Sequence, residues 1–382
     1  MDSFDVAIVG AGIAGASMAW TLAPHARVLL LEREAQPGLH STGRSAAMFM
    51  ESYGTPQVRA LTRAGRAFYE QPPPGFADTP ILAPRGVLYA AWRGQEAAID
   101  ALFRELLDTG IAVQRLDAAQ TLRRVPVLRE SGLLGAIAEA DAMDVDVHAL
   151  HQGYLRGLKR QGGALWCDAE LQRADPSGGT WTVALADGRQ ARCRTLVDAA
   201  GAWADVVARM AGVRPIGLQP KRRAAFTFAP PEGVDPRGWP AVIALDERWY
   251  IKPDAGVLIG SPANADPVEP HDVQAEELDI AIAIDRIQTA TTMAIRRPIR
   301  VWAGLRSFVA DGDLVGGPAP DDPAFVWTAA QGGYGIQTCA AMGEACAALA
   351  RGAPIPAHLA DHGIDRAMLS AARLHASSGT PR

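Results

Sequence analysis

The residues most suggestive of chemistry lie at the start of the chain, where three closely spaced glycines are followed by an acidic residue. Gly10, Gly12 and Gly15 form a G-x-G-x-x-G pattern between a short apolar run and a small-residue stretch that favours a helix. The first glycine permits a tight turn, the second lets backbone amides approach a pyrophosphate, and the third allows close helix packing. Glu32 ends the next apolar run and can bind ribose hydroxyls while repelling a 2′-phosphate. The pattern predicts a dinucleotide site that disfavours NADP; a glycine-rich turn without a ligand is the alternative.

A second glycine-bearing segment, residues 38–47, is the next candidate for phosphate or cofactor binding. Its spacing imitates a P-loop, but Arg44 replaces the lysine and no strand directly precedes it. Arg44 and Ser45 could instead reach a second phosphate or the flavin side of FAD. Because an NAD enzyme needs no such segment, the two motifs together favour FAD.

Length and composition exclude several classes of protein. With 382 residues the chain has room for two or three domains. Its net charge of −5 gives no reason to expect nucleic acid, and its four cysteines form neither a disulfide scaffold nor a C-x-x-C motif. Residues 6–24 are uncharged and long enough to span a bilayer, but their glycines argue against a transmembrane helix. We expect a cytoplasmic protein, with peripheral contact at the inner membrane as a second possibility.

Three later segments, added to the N-terminal motifs, carry a family resemblance. They are LVDAAGAWAD at 196–205, WAGLRSFV at 302–309 and FVWTAAQGGYGIQT at 325–338. The chain resembles the amino-acid oxidoreductase flavoproteins related to D-amino acid oxidase, glycine oxidase and sarcosine oxidase. Within that group it is most similar, over nearly its whole length, to the D-arginine dehydrogenases.

The resemblance implies an α/β fold, in which a Rossmann-like FAD-binding domain is interleaved with an α+β substrate domain built on an antiparallel sheet. The implied division is 1–48, 146–214 and 310–376 for the FAD-binding domain, 49–145 and 215–309 for the substrate-binding domain, and 377–382 for a tail. Local patterns agree, since Val147–Arg160 is amphipathic and Trp181–Leu185 alternates like a strand.

The resemblance also implies which groups hold an amino acid against the flavin. Arg223 and Arg306 are expected to bind the substrate carboxylate, which a guanidinium fork matches with paired hydrogen bonds. Tyr53, in a mobile lid, and Tyr250 are expected to donate hydroxyl groups, and Gly333 to approach the amine through its carbonyl. Structural roles stay open as alternatives: an ion pair for Arg306, a solvated turn for Arg223, and packing for the tyrosines. No residue stands out as a catalytic base.

The predicted cofactor contacts fall in the two glycine segments, around residue 200 and in the C-terminal loop. They are Gly10, Gly12, Ile13, Ala14, Gly15, Glu32, Arg33, Ser41, Thr42, Arg44, Ser45, Ala46, Ala200, Gly201, Trp203, Arg306, Gly332, Gly333, Tyr334, Gly335, Ile336, Gln337 and Thr338. Amides of the C-terminal loop would stabilise negative charge on the reduced flavin. Noncovalent FAD is expected, because the sarcosine-oxidase relatives attach flavin through a cysteine position that is not a cysteine here. We interpret His148 and His151 as the start of a helix and expect no metal.

Three positions depart from the D-arginine dehydrogenases. Those enzymes hold the substrate guanidinium with an acidic residue after a Pro-Arg pair, where this chain has Val87. Met48 and Met50 replace a histidine and a smaller polar residue. Losing the carboxylate partner of a charged group costs about 2–5 kcal/mol, so neutral or apolar D-amino acids should be preferred over D-Arg and D-Lys. Glu51 could restore a carboxylate by swinging inward.

The predicted activity is therefore FAD-dependent oxidative deamination of D-amino acids. Hydride transfer from Cα to flavin N5 would give a 2-imino acid that hydrolyses to a 2-oxo acid and ammonia, and a quinone-type or other non-O₂ acceptor would take the electrons. Three alternatives remain: an oxidase for a secondary amine or glycine-like substrate, the FAD subunit of a hetero-oligomeric amine or opine dehydrogenase, and a plain NAD dehydrogenase.

Overall fold

The computed structural model describes residues 1–375, so the predicted tail, 377–382, lies outside the described residues. The strands, in chain order, are β1 (Asp2–Ser3), β2 (Val6–Val9), β3 (Val28–Leu31), β4 (Met48–Phe49), β5 (Leu82–Pro84), β6 (Val87–Trp92), β7 (Gln114–Leu116), β8 (Leu133–Glu139), β9 (Met143–Val145), β10 (Ala164–Trp166), β11 (Leu171–Ser177), β12 (Thr180–Leu185), β13 (Gln190–Cys193), β14 (Thr195–Asp198), β15 (Gln219–Phe228), β16 (Ala241–Ala244), β17 (Tyr250–Asp254), β18 (Val257–Ser261), β19 (Asp266–Pro267), β20 (Arg300–Phe308), β21 (Val315–Pro318) and β22 (Phe325–Ala329). The helices are α1 (Ile13–Leu22), α2 (Pro56–Glu70), α3 (Glu96–Asp108), α4 (Ala118–Arg124), α5 (Val147–Arg160), α6 (Ala204–Met210), α7 (Glu277–Ala290), α8 (Gly335–Ala350), α9 (Ala357–Ala360), α10 (Arg366–Leu369) and α11 (Ala372–His375).

A six-stranded sheet in the order β10-β3-β2-β14-β22-β21 forms the centre of the first half of the molecule. Its strands run parallel except β21, which pairs antiparallel with β22. The sequences VAIV and VLLL of β2 and β3 are wholly buried, as expected for parallel strands that are covered on both faces. Helices α1, α5 and α8 pack on one face, and the small sheet β1-β13-β12-β11 packs on the other. This arrangement confirms the predicted Rossmann-like α/β layer.

A nine-stranded sheet forms the second half, in the order β19-β15-β18-β17-β16-β6-β8-β7, with β20 also paired to β15. Neighbouring strands are antiparallel except β6 and β16, which run parallel. The predicted antiparallel sheet is thus present with one parallel pair. Helix α7 covers one face, where Ile287 packs with Phe226 and Leu258. On the opposite face, Tyr89 and Ala241 belong to a cluster with Met50 and with Ile99 and Leu106 of α3.

The uncharged stretch 6–24 forms β2, the glycine turn and α1, and so belongs to the core. Within residues 1–375, no helix combines the length and apolar character needed to cross a bilayer.

Gly15 provides a test of how tightly the first turn is packed. A Cβ atom at this position would lie 1.9 Å from the carbonyl oxygen of Gly10, so α1 would have to move away from the turn. We expect Gly15→Ala to lower the melting temperature and to yield protein that retains little of the FAD predicted from the sequence. Gly238→Ala is the matched control, because no atom lies within 4 Å of its Cβ position and its φ is not positive. Melting curves and the flavin absorbance of the purified variants measure both effects; full flavin content in Gly15→Ala would contradict the expectation.

Candidate active site

A long cleft runs along the carboxyl ends of β2, β3 and β14, where open α/β sheets bind their ligands. Gly10 makes the turn out of β2 with φ +101°, and a Cβ there would lie 2.4 Å from the carbonyl oxygen of Ala199. Both features require glycine. Glu32 is buried at the same end of the cleft and accepts hydrogen bonds from the amides of Ala11 (3.2 Å) and Glu34 (3.1 Å). Burial raises the pKa of Glu32 although these hydrogen bonds oppose it.

The middle of the cleft has the character of an anion site. The amide of Ile13, the first residue of α1, donates to Thr42 Oγ1 at 3.0 Å. The amides of Gly12 and Ala14 find no acceptor within residues 1–375. These N–H groups, together with the helix dipole, favour negatively charged oxygen atoms. The residues present therefore fit the pyrophosphate of a dinucleotide.

The far end of the cleft is formed by the N-terminus of α8 and the loop before it. Gly332, Gly333 and Gly335 line it, together with Ser45 and Ala46. Gly12, Ser41, Thr42 and Gly201 line both ends, so the cleft is continuous from Glu32 to Arg306. Its extent suits a two-part ligand, with the adenosine portion near Glu32 and a second ring system against α8.

Most of the predicted cofactor residues line this cleft or the adjoining pocket. Three do not: Gly15 packs α1 against the turn, Thr338 is fully buried in α8, and the Tyr334 ring packs against Tyr53. Arg44 lines the cleft, and its predicted contact with the cofactor stays a prediction. Its guanidinium donates to the Asp272 carboxylate (2.5 Å) and to carbonyl oxygens that include Ala303 O (3.1 Å), so it joins segments of the protein.

Arg223 and Arg306 lie together because of the pairing of β15 with β20. In that register Arg306 is opposite Lys221 and Arg223 is opposite Gly304, so the two arginines are diagonal neighbours on one face of the sheet. Tyr53 OH lies 3.3 Å from Arg306 Nη1, and Arg223 Nε donates to the carbonyl of Asn264.

Within the described residues, neither arginine has a carboxylate partner. Burial, and then the positive charge of Arg306, lower the pKa of Arg223 to about 10. Two partly buried cations side by side are costly without a counter-charge. Two such cations side by side can bind an anionic group, and their predicted role in holding a substrate carboxylate stays a prediction. Gly333 lies against them, since a Cβ at this position would be 2.8 Å from Arg306 Nη1.

Beyond the two arginines lies a smaller pocket, which we call the substrate pocket. Its lining residues are Ser45, Ala46, Ala47, Met48, Met50, Tyr53, Arg223, Ala241, Ile243, Glu247, Tyr250, Lys252, Ala263, Arg306, Gly333, Ile336 and Gln337. Met48, Met50, Tyr53 and Tyr250, which were predicted from the sequence, all line it. Glu247 and Lys252 also line it and were not predicted. The ammonium of Lys252 is 2.9 Å from Asp144 Oδ1, so its charge is already paired, whereas Glu247 is exposed at the rim.

The prediction that Val87 lines the pocket is not supported. Val87 is buried in β6, and the lining position falls to Ala241, its partner in the neighbouring strand β16. The carboxylate of Glu51, which we considered as a possible substrate contact, accepts a hydrogen bond from Arg66 Nε at 2.5 Å.

The predicted lid, residues 51–56, is held by hydrogen bonds: the amide of Glu51 donates to Glu139 Oε1 at 2.8 Å. His151, buried in α5, lies 2.8 Å from the carbonyl of Ala11, which agrees with a structural role. Within residues 1–375, no three side chains are grouped as a metal would require.

A continuous cleft on a parallel sheet, with free helix amides at its middle and an arginine pair at its end, defines a dinucleotide-binding oxidoreductase. A model of the FAD dependent oxidoreductase family, DAO, matches residues 5–349. The chain belongs to this family, and its cofactor is FAD.

Individual relatives are distant. L-2-hydroxyglutarate dehydrogenase of Salmonella houtenae is 28% identical over 238 residues, which are 59% of this chain and 54% of that protein. The chain thus spans about half the length of this relative. FAD-dependent oxidoreductase domain-containing protein 1 of Bos taurus is 23% identical over 395 residues, covering 90% of this chain and 80% of that protein.

The fold is shared with many solved structures, of which two are described. Glycine oxidase from Geobacillus kaustophilus has a TM-score of 0.78 and 23% identity, covering 92% of this chain and 96% of that one. L-alpha-glycerophosphate oxidase from Mycoplasma pneumoniae, with FAD bound, has a TM-score of 0.84 and 16% identity, covering 92% and 95%. At these identities the likeness shows the fold alone, and it confirms the predicted fold class.

Two adjacent arginines allow a matched test of the carboxylate site. Arg223→Met should lower kcat/KM by roughly 30-fold or more, because the substrate anion loses a partner whose loss costs about 2–5 kcal/mol. The melting temperature without substrate should stay the same or rise, because a cation without a counter-ion has been removed. Arg222→Met should lower the melting temperature and leave kcat/KM nearly unchanged. Arg222 pairs with Asp279 at 3.0 Å and contacts Glu276, so its loss leaves these carboxylates without their cation. Thermal melts and steady-state kinetics of both variants decide; a large loss of stability in Arg223→Met alone would count against an anion site.

Proposed function

We propose that the protein catalyses the FAD-dependent oxidation of a D-amino acid with a neutral side chain. The product would be a 2-imino acid, which hydrolyses in water to a 2-oxo acid and ammonia. The observation that carries this proposal is the pair Arg223 and Arg306, which lacks a carboxylate partner among the described residues and lies between the FAD cleft and an apolar pocket. The two sheets support, again as a proposal, the division into FAD-binding residues 1–48, 146–214 and 310–376 and substrate-binding residues 49–145 and 215–309.

The residues of the pocket fix the substrate at its carboxylate. Arg223 and Arg306 bind the two carboxylate oxygens, and the hydroxyl groups of Tyr53 and Tyr250 complete the site. Gly333, close to Arg306, offers its carbonyl to the substrate amine. FAD, when bound, supplies the acceptor for the hydride that leaves Cα. FAD is held without a covalent link, chiefly by backbone amides of the glycine turn, segment 44–46 and the α8 N-terminus.

The side-chain end of the pocket favours a neutral group. Met48, Met50, Ala241 and Ile243 present apolar surface, and the Lys252 ammonium already has Asp144 as its partner. A guanidinium or ammonium group of the substrate would meet only the exposed carboxylate of Glu247, where water screens the attraction. The preference for the D-configuration rests on the resemblance to the D-arginine dehydrogenases, and so does a quinone-type acceptor in place of O₂.

Two other substrates share the carboxylate and are therefore candidates. The similarity to an L-2-hydroxyglutarate dehydrogenase favours a 2-hydroxy acid, whose hydroxyl would take the place of the amine. The fold likeness to a glycine oxidase keeps the secondary-amine or glycine-like substrate open. The FAD subunit of a hetero-oligomeric dehydrogenase is a further alternative, which co-purification with a second chain would support.

The substrate class can be decided by anaerobic bleaching of the enzyme-bound flavin. We expect D-Met, D-Leu or D-Phe to reduce it with a second-order rate constant at least about 30-fold above that of D-Arg and D-Lys, because a cationic side chain lacks a buried partner worth about 2–5 kcal/mol. The L-enantiomers, sarcosine, glycine and L-2-hydroxyglutarate are the comparison compounds. If L-2-hydroxyglutarate were the sole compound of the panel to reduce the flavin, the substrate would be a 2-hydroxy acid and not an amino acid.

If D-Arg and D-Lys reduced the flavin as fast as the neutral compounds, the proposed preference for neutral side chains would be wrong. Glu247→Gln then identifies the partner: a selective loss of D-Arg turnover would assign that role to Glu247. Peroxide formation in air would change the assignment from dehydrogenase to oxidase.

A further inference from the structure

The segment between β4 and α2 brings two side chains into the substrate pocket. Met50 and Tyr53 both line it, and Tyr53 OH contacts Arg306. The segment itself has little regular structure, so the positions of these two side chains depend on what holds its backbone.

A buried carboxylate holds that backbone. Glu139, the last residue of β8, is only 2% exposed. Its Oε1 accepts the amide of Glu51 at 2.8 Å, and its Oε2 accepts both the amide of Ser52 (3.2 Å) and the Ser52 hydroxyl. The Ser52 oxygen is also 2.7 Å from Tyr89 OH, which extends the network into β6.

Within the described residues, Glu139 has no cation as partner. Its negative charge is therefore stabilised by N–H and O–H donors alone. A buried carboxylate that lost these donors would be strongly disfavoured. Two consecutive amides must consequently point at Glu139, which fixes the backbone at residues 51 and 52.

Other contacts hold the same segment from different sides. Gln337 Nε2 donates to the carbonyl of Met50 at 3.1 Å, and the Glu51 carboxylate binds Arg66 on α2. Gln337 itself lines the substrate pocket. The backbone is thus restrained at the carbonyl of Met50 by Gln337 and at the next two amides by Glu139. The hydrogen bonds of Glu139 therefore help to fix the positions of the Met50 and Tyr53 side chains in the pocket.

We propose that Glu139 is a positioning residue for substrate binding, which acts by orienting the segment that carries Met50 and Tyr53. It touches neither substrate nor cofactor in the proposed reaction. The inference rests on the proposed oxidation of an amino acid at this site.

Glu139→Gln tests the proposal with little change of shape. The amide of glutamine has one acceptor atom, so one of the amides of Glu51 and Ser52 would face another N–H donor. We expect KM for the best D-amino acid to rise about tenfold or more, with kcat changed by less than roughly threefold. Tyr89→Phe is the matched control, since it removes only the outer hydroxyl and leaves both backbone hydrogen bonds in place; its KM should stay within about threefold of the wild type.

Hydrogen exchange of the holoenzyme gives a readout that does not need turnover. In Glu139→Gln the amides of residues 51 and 52 should lose protection, while those of β6 and of the β15–β20 pair keep theirs. If the wild type oxidises no compound of the panel, the proposed function fails, yet this exchange experiment still decides whether Glu139 orients the segment.

Unchanged protection at residues 51 and 52, or a fall in kcat with KM unchanged, would overturn the proposal. If Glu139→Gln does not fold, Glu139→Asp serves in its place, because it keeps the charge and shortens the reach. The same rise in KM and loss of protection are expected from it, and their absence would overturn the proposal equally.

Discussion

Two positive charges held side by side on one face of a sheet are the constraint on which the rest of the site depends. Arg223 and Arg306 are fixed as neighbours by the long antiparallel pairing of β15 with β20, and the lowered pKa of Arg223 reflects both its burial and the repulsion between them. A fold keeps such a pair only where something offsets the repulsion. Tyr53 OH and the Asn264 carbonyl, which contact the two arginines, are uncharged. The carboxylate of Glu247 lines the same pocket but is exposed to solvent, which weakens its attraction for the pair. A bound anion would therefore offset the repulsion between the two arginines.

The strand that carries Arg306 also ties the carboxylate site to the cofactor. Segment 41–44 of the glycine-bearing loop attaches to β20 at three points: Ser41 Oγ donates to Leu305 O, Arg44 Nη1 to Ala303 O, and Trp302 Nε1 to Arg44 O. The same segment supplies Thr42 to the turn of α1. One short loop thus contacts both the glycine turn and the arginine strand, so hydrogen bonds within the protein set the distance between the cleft and the arginine pair. The Arg44 side chain contributes by joining these segments.

What the sequence could predict follows from the range of the interactions involved. The glycine turn, the buried strands β2 and β3, and Arg306 among apolar neighbours are recognisable because each is encoded within a few consecutive residues. Glu139 was missed because its partners Glu51 and Ser52 are far away in the chain, and its place at the end of β8 carries no local signal. Lys252 was within reach, since it follows Tyr250 by two residues and must share its strand face. The sequence could not show that Ala241 and not Val87 lines the pocket. A family resemblance matches positions along the chain, but it does not show which of two paired strands faces a cavity.

Val87 nevertheless bears on the pocket through its other strand partner. It is in register with Glu139 across β6 and β8, so the two side chains lie on the same face of the sheet. An apolar neighbour leaves the Glu139 carboxylate dependent on the amides of residues 51 and 52. A second carboxylate at position 87 would add like-charge repulsion at that point and would need a cation of its own. The valine at position 87 is therefore compatible with the buried carboxylate of Glu139, whose hydrogen bonds orient the segment that carries Met50 and Tyr53.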